Sequence, residues 1–192
     1  MTVAGLILAA GESKRMGSPK ASLDFRGETF LDRLIRIFSA YCNPVVVVLG
    51  SEAKLIRSGV KRPEGVLFAE NKDYHLGQLS SMQCGLRLTQ DTAEGVLFTL
   101  VDHPNPQPST IEALIAPPLP LLAIPRYEGQ RGHPIFFRRE LISEFLALPP
   151  DSEAKPVVVR HRDDTRWVDC DDPGILDDVD DPAAYRRLLE TT

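Results

Sequence analysis

The chain contains short, continuously apolar runs that alternate with stretches of helical periodicity. Val3–Leu8, Val45–Leu49 and Gly95–Val101 contain no charged side chain. Strands of this kind are buried on both faces, which is typical of parallel sheets covered by helices. The alternation therefore predicts an α/β fold, a Rossmann-like three-layer α/β/α sandwich with a mainly parallel sheet.

Amphipathic stretches between these runs predict helices. In Thr29–Tyr41 the apolar side chains recur at helical spacing, and Thr29 is a suitable N-cap. Other helices are predicted at Glu52–Ser58, Ser80–Leu88 (with Ser80 or Ser81 as its cap), Ser109–Ile115, Arg139–Leu148 and Pro182–Leu189, and further strands at Gly65–Ala69, Leu121–Ile124, Gly132–Phe137, Val157–Arg160 and Thr165–Asp169. No repeat or linker divides the chain, so residues 1–192 are predicted to form a single domain.

Charge and cysteine usage exclude several classes of protein. The net charge of −5 argues against a nucleic-acid binder. The N-terminal apolar run and the proline-interrupted stretch Ala116–Pro125 are both too short to cross a bilayer. Cys42, Cys84 and Cys170 form no CxxC pair, and three cysteines without a secretory signal indicate reduced thiols. We therefore expect a cytoplasmic protein that binds neither nucleic acid nor membrane.

A loop with a phosphate-binding character follows the first apolar run. It spans Leu8–Lys20 and reads LAAGESKRMGSPK. The small side chains of Ala9–Gly11 let a ligand approach the backbone N–H groups closely. Arg15 offers a planar guanidinium for phosphate oxygens, and Lys20 offers a point charge. Spacing alone leaves open a glycine turn with solvated cations, because the string matches neither common phosphate-loop pattern.

Carboxylates occur at two points that suit a metal ion. Asp102 directly follows the apolar run Gly95–Val101, and the carboxyl ends of parallel strands are where α/β sheets bind ligands. Magnesium prefers carboxylate and phosphate oxygens. A second acidic run, Asp177–Asp181, precedes the last predicted helix. Taken alone, Asp102 could form a turn and the acidic run could be a helix N-terminal charge cluster. His103 is open as a ligand, a proton carrier or a neighbour.

Four strings together resemble the MobA-like nucleotidyltransferase family, whose members transfer a nucleotide to the molybdenum cofactor. The first loop is similar to the family pattern LAAGxSxRMGxPK, and Pro19 before Lys20 is similar to its cytidylyltransferase branch. GQLSSMQCGL at 77–86 resembles the family's glycine and serine segment, and GQRGHPIFF at 129–137 resembles GxxGHPxxF. DDVDDPAAY at 177–185 resembles D-[IV]-D-T-P-E-D-[YL], with Asp181 in place of the usual threonine as a helix cap.

The resemblance implies a nucleotide-diphospho-sugar transferase-like fold and a nucleotidylyltransferase activity. The nucleoside triphosphate, with CTP favoured, would react with a phosphate-bearing, pterin-like acceptor such as molybdopterin, with Mg²⁺ as cofactor and pyrophosphate as product. The implied catalytic residues are Arg15, Lys20 and Asp102. The implied metal ligands are Asp102 and Asp180, with Asp180 preferred over Asp178. The implied nucleotide contacts are Leu8, Ala9, Ala10, Gly11, Lys20, Gly77, Ser80, Ser81 and Gly85, and the implied acceptor contacts are Gly132, His133 and Pro134.

One segment departs from the family pattern. Where the family has Gly-Asp-x-Gly-Ala-Arg, Pro150–Lys155 lacks both glycines and ends in lysine. Because this segment is expected to touch the acceptor, the acceptor's identity stays open. Alternatives are transfer to a sugar or isoprenoid-precursor phosphate, a non-catalytic chaperone that delivers the cofactor to a molybdoenzyme, and a redox enzyme on this fold, although no dinucleotide fingerprint is present. His133 is equally open as a structural turn residue, and Ser80 and Ser81 as plain helix caps.

Overall fold

The computed structural model describes residues 2–89 and 93–190. Its strands are β1 Val3–Ala9, β2 Asp24–Phe25, β3 Glu28–Thr29, β4 Val45–Leu49, β5 Val66–Glu70, β6 Gly95–Leu100, β7 Leu122–Tyr127, β8 Gln130–Arg131, β9 Ile135–Arg138 and β10 Thr165–Asp169. Its α-helices are α1 Phe30–Ser39, α2 Ala53–Gly59, α3 Gln78–Thr89, α4 Pro108–Leu114, α5 Ile142–Ala147, α6 Lys155–Arg160 and α7 Pro182–Glu190. Single 3₁₀ turns cover Lys20–Ser22, Tyr74–Leu76, Arg139–Leu141 and Pro173–Leu176.

The main sheet has the strand order β10-β7-β9-β6-β1-β4-β5, with β8 paired to β7. Strand β1 is parallel to both β4 and β6, β4 is parallel to β5, and β10 is parallel to β7. Strand β9 runs antiparallel between β6 and β7. The mainly parallel sheet that the apolar runs predicted is therefore confirmed, with one antiparallel strand inside it.

Two apolar cores lie on opposite faces of this sheet. Alternate residues of β1 divide between them, so that Ile7 joins one core while Leu6 and Leu8 join the other. Helices α1, α2, α4 and α7 contribute side chains to the first core, and α3, α5 and α6 to the second. The alternation follows from the pleat of a strand, whose successive side chains point to opposite faces. The three-layer arrangement is thus confirmed.

The predicted strand Val157–Arg160 was wrong, because this segment belongs to helix α6. Val157 is fully buried, whereas Val159 is 58% exposed, so the valine run covers the second core with one face only. Pro156 lies in the first turn of the helix, where the missing proline N–H costs no hydrogen bond. The run of β-branched residues favours a strand locally. Pro156 in the first turn and the burial of Val157 favour the helix that the segment forms.

The beginnings of three other elements also differ from the prediction. Helix α3 begins at Gln78, so neither Ser80 nor Ser81 is its N-cap, and both are buried in its first turn. The stretch predicted as one helix from Arg139 divides into a 3₁₀ turn and α5. The strand expected from Gly132 begins only at Ile135.

Two predicted helix caps are confirmed. The Thr29 hydroxyl accepts a hydrogen bond from the backbone N–H of Asp32 at 3.1 Å, at the start of α1. The Asp181 carboxylate accepts from the backbone N–H of Ala184 at 2.8 Å, at the start of α7. These bonds satisfy helix N–H groups that have no partner within the helix.

The three cysteines are free thiols in the structure. Cys42 is buried, and Cys84 and Cys170 are partly exposed. Within the described ranges, no helix has both the length and the hydrophobicity that a membrane crossing requires. The prediction of one domain over residues 1–192 includes residues 1, 90–92 and 191–192, which lie outside the described part, and it stays a prediction.

Candidate active site

The loop that follows β1 folds back on itself. Ser13 has a φ of 51°, and its carbonyl accepts hydrogen bonds from the N–H groups of Met16 and Gly17 at 2.9 and 3.2 Å. The Ser13 hydroxyl accepts a further bond from the Lys20 N–H at 3.1 Å. The loop is therefore closed by its own backbone.

Two cations of this loop pair with two carboxylates from distant parts of the chain. Lys20 Nζ lies 2.8 Å from Asp102 Oδ2 and 2.5 Å from Asp180 Oδ1. Arg15 Nη2 lies 2.6 Å from Asp180 Oδ2. The other oxygen of Asp102, Oδ1, is buried and has no hydrogen-bond partner. The predicted catalytic and metal-binding residues thus lie together after the carboxyl ends of β1 and β6.

These contacts shift the pKa values of Lys20 and Asp180. Burial opposes the charge of Lys20, but its bonds to Asp102 and Asp180 outweigh burial and raise the Lys20 pKa. The hydrogen bond from Lys20, assisted by Arg15, lowers the pKa of Asp180. At neutral pH the lysine is therefore a cation and Asp180 an anion.

A cavity of about 360 Å³ opens beside this cluster. The residues predicted to contact the nucleotide or metal that line it are Leu8, Ala9, Ala10, Gly11, Arg15, Lys20, Gly77, Ser81, Asp102 and Asp180. Ser80 and Gly85 do not line it.

Ser80 instead fixes the segment that precedes α3. Its hydroxyl donates to the carbonyls of Gly77 at 2.8 Å and Asp73 at 3.1 Å. The Asn71 side-chain amide donates to both Ser80 Oγ and Ser81 Oγ, at 2.9 and 3.0 Å. Ser80 therefore positions the cavity wall, while Ser81 reaches the cavity itself.

Gly85 lies where α3 packs on the sheet. A Cβ at this position would lie 2.3 Å from Leu6 Cδ1 and 2.7 Å from Val48 Cγ2. Only glycine permits so close an approach. Close packing of α3 on the sheet therefore explains the glycine at position 85. It does not support the predicted contact between Gly85 and the nucleotide.

The cavity lining also includes residues that the sequence analysis did not select, among them Ser13, Tyr74 and Gln78. Ser13 and Gln78 lie inside two of the strings that resemble the family, at 8–20 and 77–86. Their polar side chains could have identified them as ligand contacts. Tyr74 gave no motif signal. It is held against Gly50, where a Cβ would lie 2.7 Å from both Tyr74 Cβ and the Ala10 carbonyl oxygen.

A second cavity, of about 400 Å³, contains part of the predicted acceptor site. Gly132 and His133 line it together with His103 and Asp178, whereas Pro134 does not. The His133 N–H donates to the Ile175 carbonyl at 3.0 Å, and a Cβ on Gly132 would lie 2.3 Å from the same oxygen. The glycine is therefore required by a close backbone approach.

His103 and His133 lie beside each other in this second cavity. Their ring centroids are 4.5 Å apart, and Nδ1 of each ring is buried without a partner. Burial, assisted by His103, lowers the pKa of His133 to about 4. His133 is therefore neutral near pH 7 and brings no positive charge to the cavity.

Asp178 rather than Asp180 lies near His103. Asp102, His103 and Asp178 each offer one ligand atom, and these atoms lie within 4.8 Å of one another. Burial, followed by the charge of Asp102, raises the pKa of Asp178. Both oxygens of Asp180 are in ion pairs. The preference for Asp180 as a metal ligand stays a prediction.

The segment Pro150–Lys155, expected to touch the acceptor, lines neither cavity. Its last residue begins α6 and is exposed. The departure from the family pattern in this segment therefore gives no information about the acceptor at the second cavity.

Several known proteins are similar to this chain over nearly its whole length. The nicotine blue oxidoreductase of Paenarthrobacter nicotinovorans is 30% identical over 97% of this chain and 96% of its own length. The molybdenum cofactor cytidylyltransferase of Escherichia coli K12 is 23% identical over 96% of this chain and 94% of its own. The crystal structure of Rv0371c in complex with manganese, from Mycobacterium tuberculosis H37Rv, has a TM-score of 0.82 and 28% identity and covers 100% of both chains.

The family model described as the MobA-like NTP transferase domain matches residues 5–165, which include both cation positions and Asp102. The match covers most of the sheet and helices α1 to α6. The chain therefore belongs to the MobA-like NTP transferase family.

Proposed function

We propose that this protein transfers a nucleoside monophosphate, from CTP in preference to other triphosphates, to the phosphate of a molybdopterin-type acceptor and releases pyrophosphate. The observation that carries the proposal is the chain of ion pairs in which Lys20 joins Asp102 to Asp180 and Arg15 extends it. Cations and carboxylates at one cavity can together hold a triphosphate and a divalent metal ion.

The described residues fit a divalent cation, and we propose Mg²⁺. Asp102 Oδ1 is a buried oxygen without a partner, which is the ligand type that Mg²⁺ prefers. Asp102 and Asp180 would hold the ion, and when bound it neutralises charge on the phosphates. The manganese complex of Rv0371c supports dependence on a divalent ion.

The residues of the chain would hold and orient two anions. Arg15, Lys20 and the N–H groups of Ala9–Gly11 bind the triphosphate and offset its charge in the transition state. A phosphate monoester has a second pKa of about 6, so the acceptor is largely dianionic at neutral pH and needs no general base. Catalysis then depends on bringing the acceptor phosphate into line with the α-phosphorus.

The second cavity suits the acceptor. Asp102 lines the first cavity, while His103 and Asp178 line the second, and ligand atoms of these three residues lie within 4.8 Å. The two cavities are therefore lined by adjacent residues, Asp102 in the first and His103 in the second. The preference for CTP and molybdopterin is supported by the near full-length match to the E. coli cytidylyltransferase. A cytoplasmic location and delivery to a molybdoenzyme stay predictions.

A thermal-shift screen of CTP, GTP, ATP and UTP, each with Mg²⁺, tests the nucleotide. A ligand at 100 times its Kd stabilises the native state by about 2.7 kcal/mol, so we expect CTP to raise the Tm by several degrees more than the others. Pyrophosphate release with CTP and molybdopterin then tests the transfer. No Tm shift with any of the four triphosphates would contradict the proposal.

The oxidoreductase relative favours a second candidate, a redox enzyme on the same fold. That relative matches 97% of this chain at 30% identity. The screen therefore includes NADH and NADPH without a triphosphate. A Tm shift with a reduced nicotinamide nucleotide and none with a triphosphate would replace nucleotidyl transfer by this candidate.

A further inference from the structure

We propose that Asp102, His103 and Asp178 form a second divalent-cation site, between the two cavities, that prefers Mn²⁺ to Mg²⁺. The site shares Asp102 with the Asp102–Asp180 pair and differs from it in using a histidine and a different second carboxylate. It does not depend on the proposed nucleotidyl transfer, and its test needs neither nucleotide nor acceptor.

The geometry of the three side chains suits one ion. Their ligand atoms lie within 4.8 Å of one another. Ligand atoms around one small cation lie about 3 to 4.5 Å apart, given metal–ligand distances of roughly 2.0–2.3 Å. Asp178 is exposed, so a small rotation of its side chain completes the site.

The backbone already holds the two parts of the site together. The Val179 N–H donates to the Asp102 carbonyl at 3.0 Å. This bond joins the segment that carries Asp178 to the segment that carries Asp102 and His103. The three side chains therefore approach one another through a fixed backbone contact.

Unpartnered polar atoms point to a missing ligand. Within residues 2–89 and 93–190, four buried side-chain nitrogen or oxygen atoms lack a hydrogen-bond partner, and two of them are Asp102 Oδ1 and His103 Nδ1. His103 is only 9% exposed. A buried polar atom without a partner destabilises the folded state, so two of them in adjacent residues favour a group bound between them.

The neighbouring cations do not satisfy these atoms. Lys20 bonds to the other oxygen of Asp102, and Arg15 bonds to Asp180. In the described part of the chain, Asp178 takes part in no ion pair. Asp178 therefore adds an unpaired carboxylate beside Asp102 and His103, and Asp102 keeps one oxygen that Lys20 does not occupy.

The donor set selects the type of metal. Mg²⁺ prefers oxygen ligands in a regular octahedron and retains several waters. An imidazole nitrogen favours transition metals, and the two carboxylates suit Mn²⁺. We therefore expect Mn²⁺ to bind the nucleotide-free protein more tightly than Mg²⁺.

Pulsed electron paramagnetic resonance of Mn²⁺ added below one equivalent to the metal-free protein tests the site. We expect the bound Mn²⁺ to give a single type of spectrum, with spin-echo modulation from a ligating nitrogen-14. His103→Asn should abolish that modulation and raise the Mn²⁺ Kd at least about tenfold, as loss of a ligand does. Asp178→Asn removes an exposed carboxylate and should raise the Kd similarly while leaving the fold intact.

Asp181→Asn is the matched control. It removes one negative charge from the same acidic run, and asparagine still caps α7. We expect its Mn²⁺ Kd to stay within about twofold and its nitrogen modulation to persist, as the modulation should in Asp180→Asn. Mn²⁺ binding without nitrogen modulation, or modulation that survives His103→Asn, would overturn the proposal. Either result leaves nucleotidyl transfer untouched, since that is decided by the triphosphate screen and pyrophosphate release.

Discussion

Arg15 and Lys20 differ in how the fold holds them. The Lys20 side chain is 12% exposed and pairs with two carboxylates, whereas the Arg15 side chain is 67% exposed and pairs with one. Removing Lys20 would leave Asp102 and Asp180 close together without their shared cation. Exposed ion pairs contribute little to stability, so Arg15 is the better position at which to test function separately from folding.

We expect Arg15→Ala to lower kcat/KM by about 100- to 1000-fold while leaving the Tm nearly unchanged. The guanidinium would offset phosphate charge in the transition state, and losing one such contact has effects of this size. The rate of pyrophosphate release with CTP and molybdopterin measures the change in kcat/KM.

Arg36→Ala is the control, since Arg36 also pairs with a carboxylate, Glu28, at the surface but lies outside both cavities. Equal loss of activity in the two variants would show that Arg15 has no specific role.

At the scale of single elements, α3 illustrates how packing fixes a residue type. Gly85 lets the helix approach β1 and β4 so closely that any Cβ would meet Leu6 and Val48. The other half of the same helix supplies the cavity wall through Gln78 and Ser81. Because α3 is a single rigid element, its seating on the sheet also sets the position of that wall.

We expect Gly85→Ala to destabilise the protein by about 1–3 kcal/mol, because an extra methyl group in a packed contact forces its neighbours to shift. Urea denaturation followed by circular dichroism measures the change.

Gly59→Ala, in α2, is the matched control because a Cβ there meets nothing within 4 Å. Alanine is the better helix former, so this variant should be neutral or slightly more stable. A Gly85→Ala variant as stable as wild type would contradict the close approach of α3.

The sequence predicted element types where one local signal dominated. Continuous apolar runs identified β1, β4 and β6, and threonine and aspartate chemistry identified the caps of α1 and α7. Val157–Arg160 was missed because β-branched residues favour strands locally, whereas burial of a single face is known only from the folded structure. The antiparallel direction of β9 also has no local signal, since it depends on where the chain enters the sheet.

At the scale of the whole molecule, the site was predicted in parts rather than as an assembly. Lys20 is 82 positions from Asp102 and 160 from Asp180 along the chain. Local composition and the family resemblance selected each residue, but neither shows that the lysine bonds directly to both carboxylates. The grouping of Asp102, His103 and Asp178 was likewise not visible, because it requires the acidic run to fold back beside β6.

The Lys20 bridge makes the ligand-free protein carry its own counter-ion. At the proposed site a metal ion would compete with Lys20 for Asp102 and Asp180, whereas a triphosphate would attract Lys20 and Arg15 away from them. Nucleotide and cation should therefore bind with positive cooperativity, and thermodynamic linkage requires each to tighten the other by the same factor. We expect calorimetry to show that a non-hydrolysable CTP analogue and Mg²⁺ each lower the Kd of the other by the same factor. The usual range of such coupling is about 5- to 150-fold.

Lys20→Met removes the internal competitor, so Mg²⁺ alone should bind this variant more tightly than wild type. Unchanged Mg²⁺ affinity in the variant would mean that the bridge does not compete with the ion. If the coupling holds, Lys20 neutralises part of the charge of Asp102 and Asp180 in the ligand-free protein. A divalent ion would take over this role when nucleotide is bound.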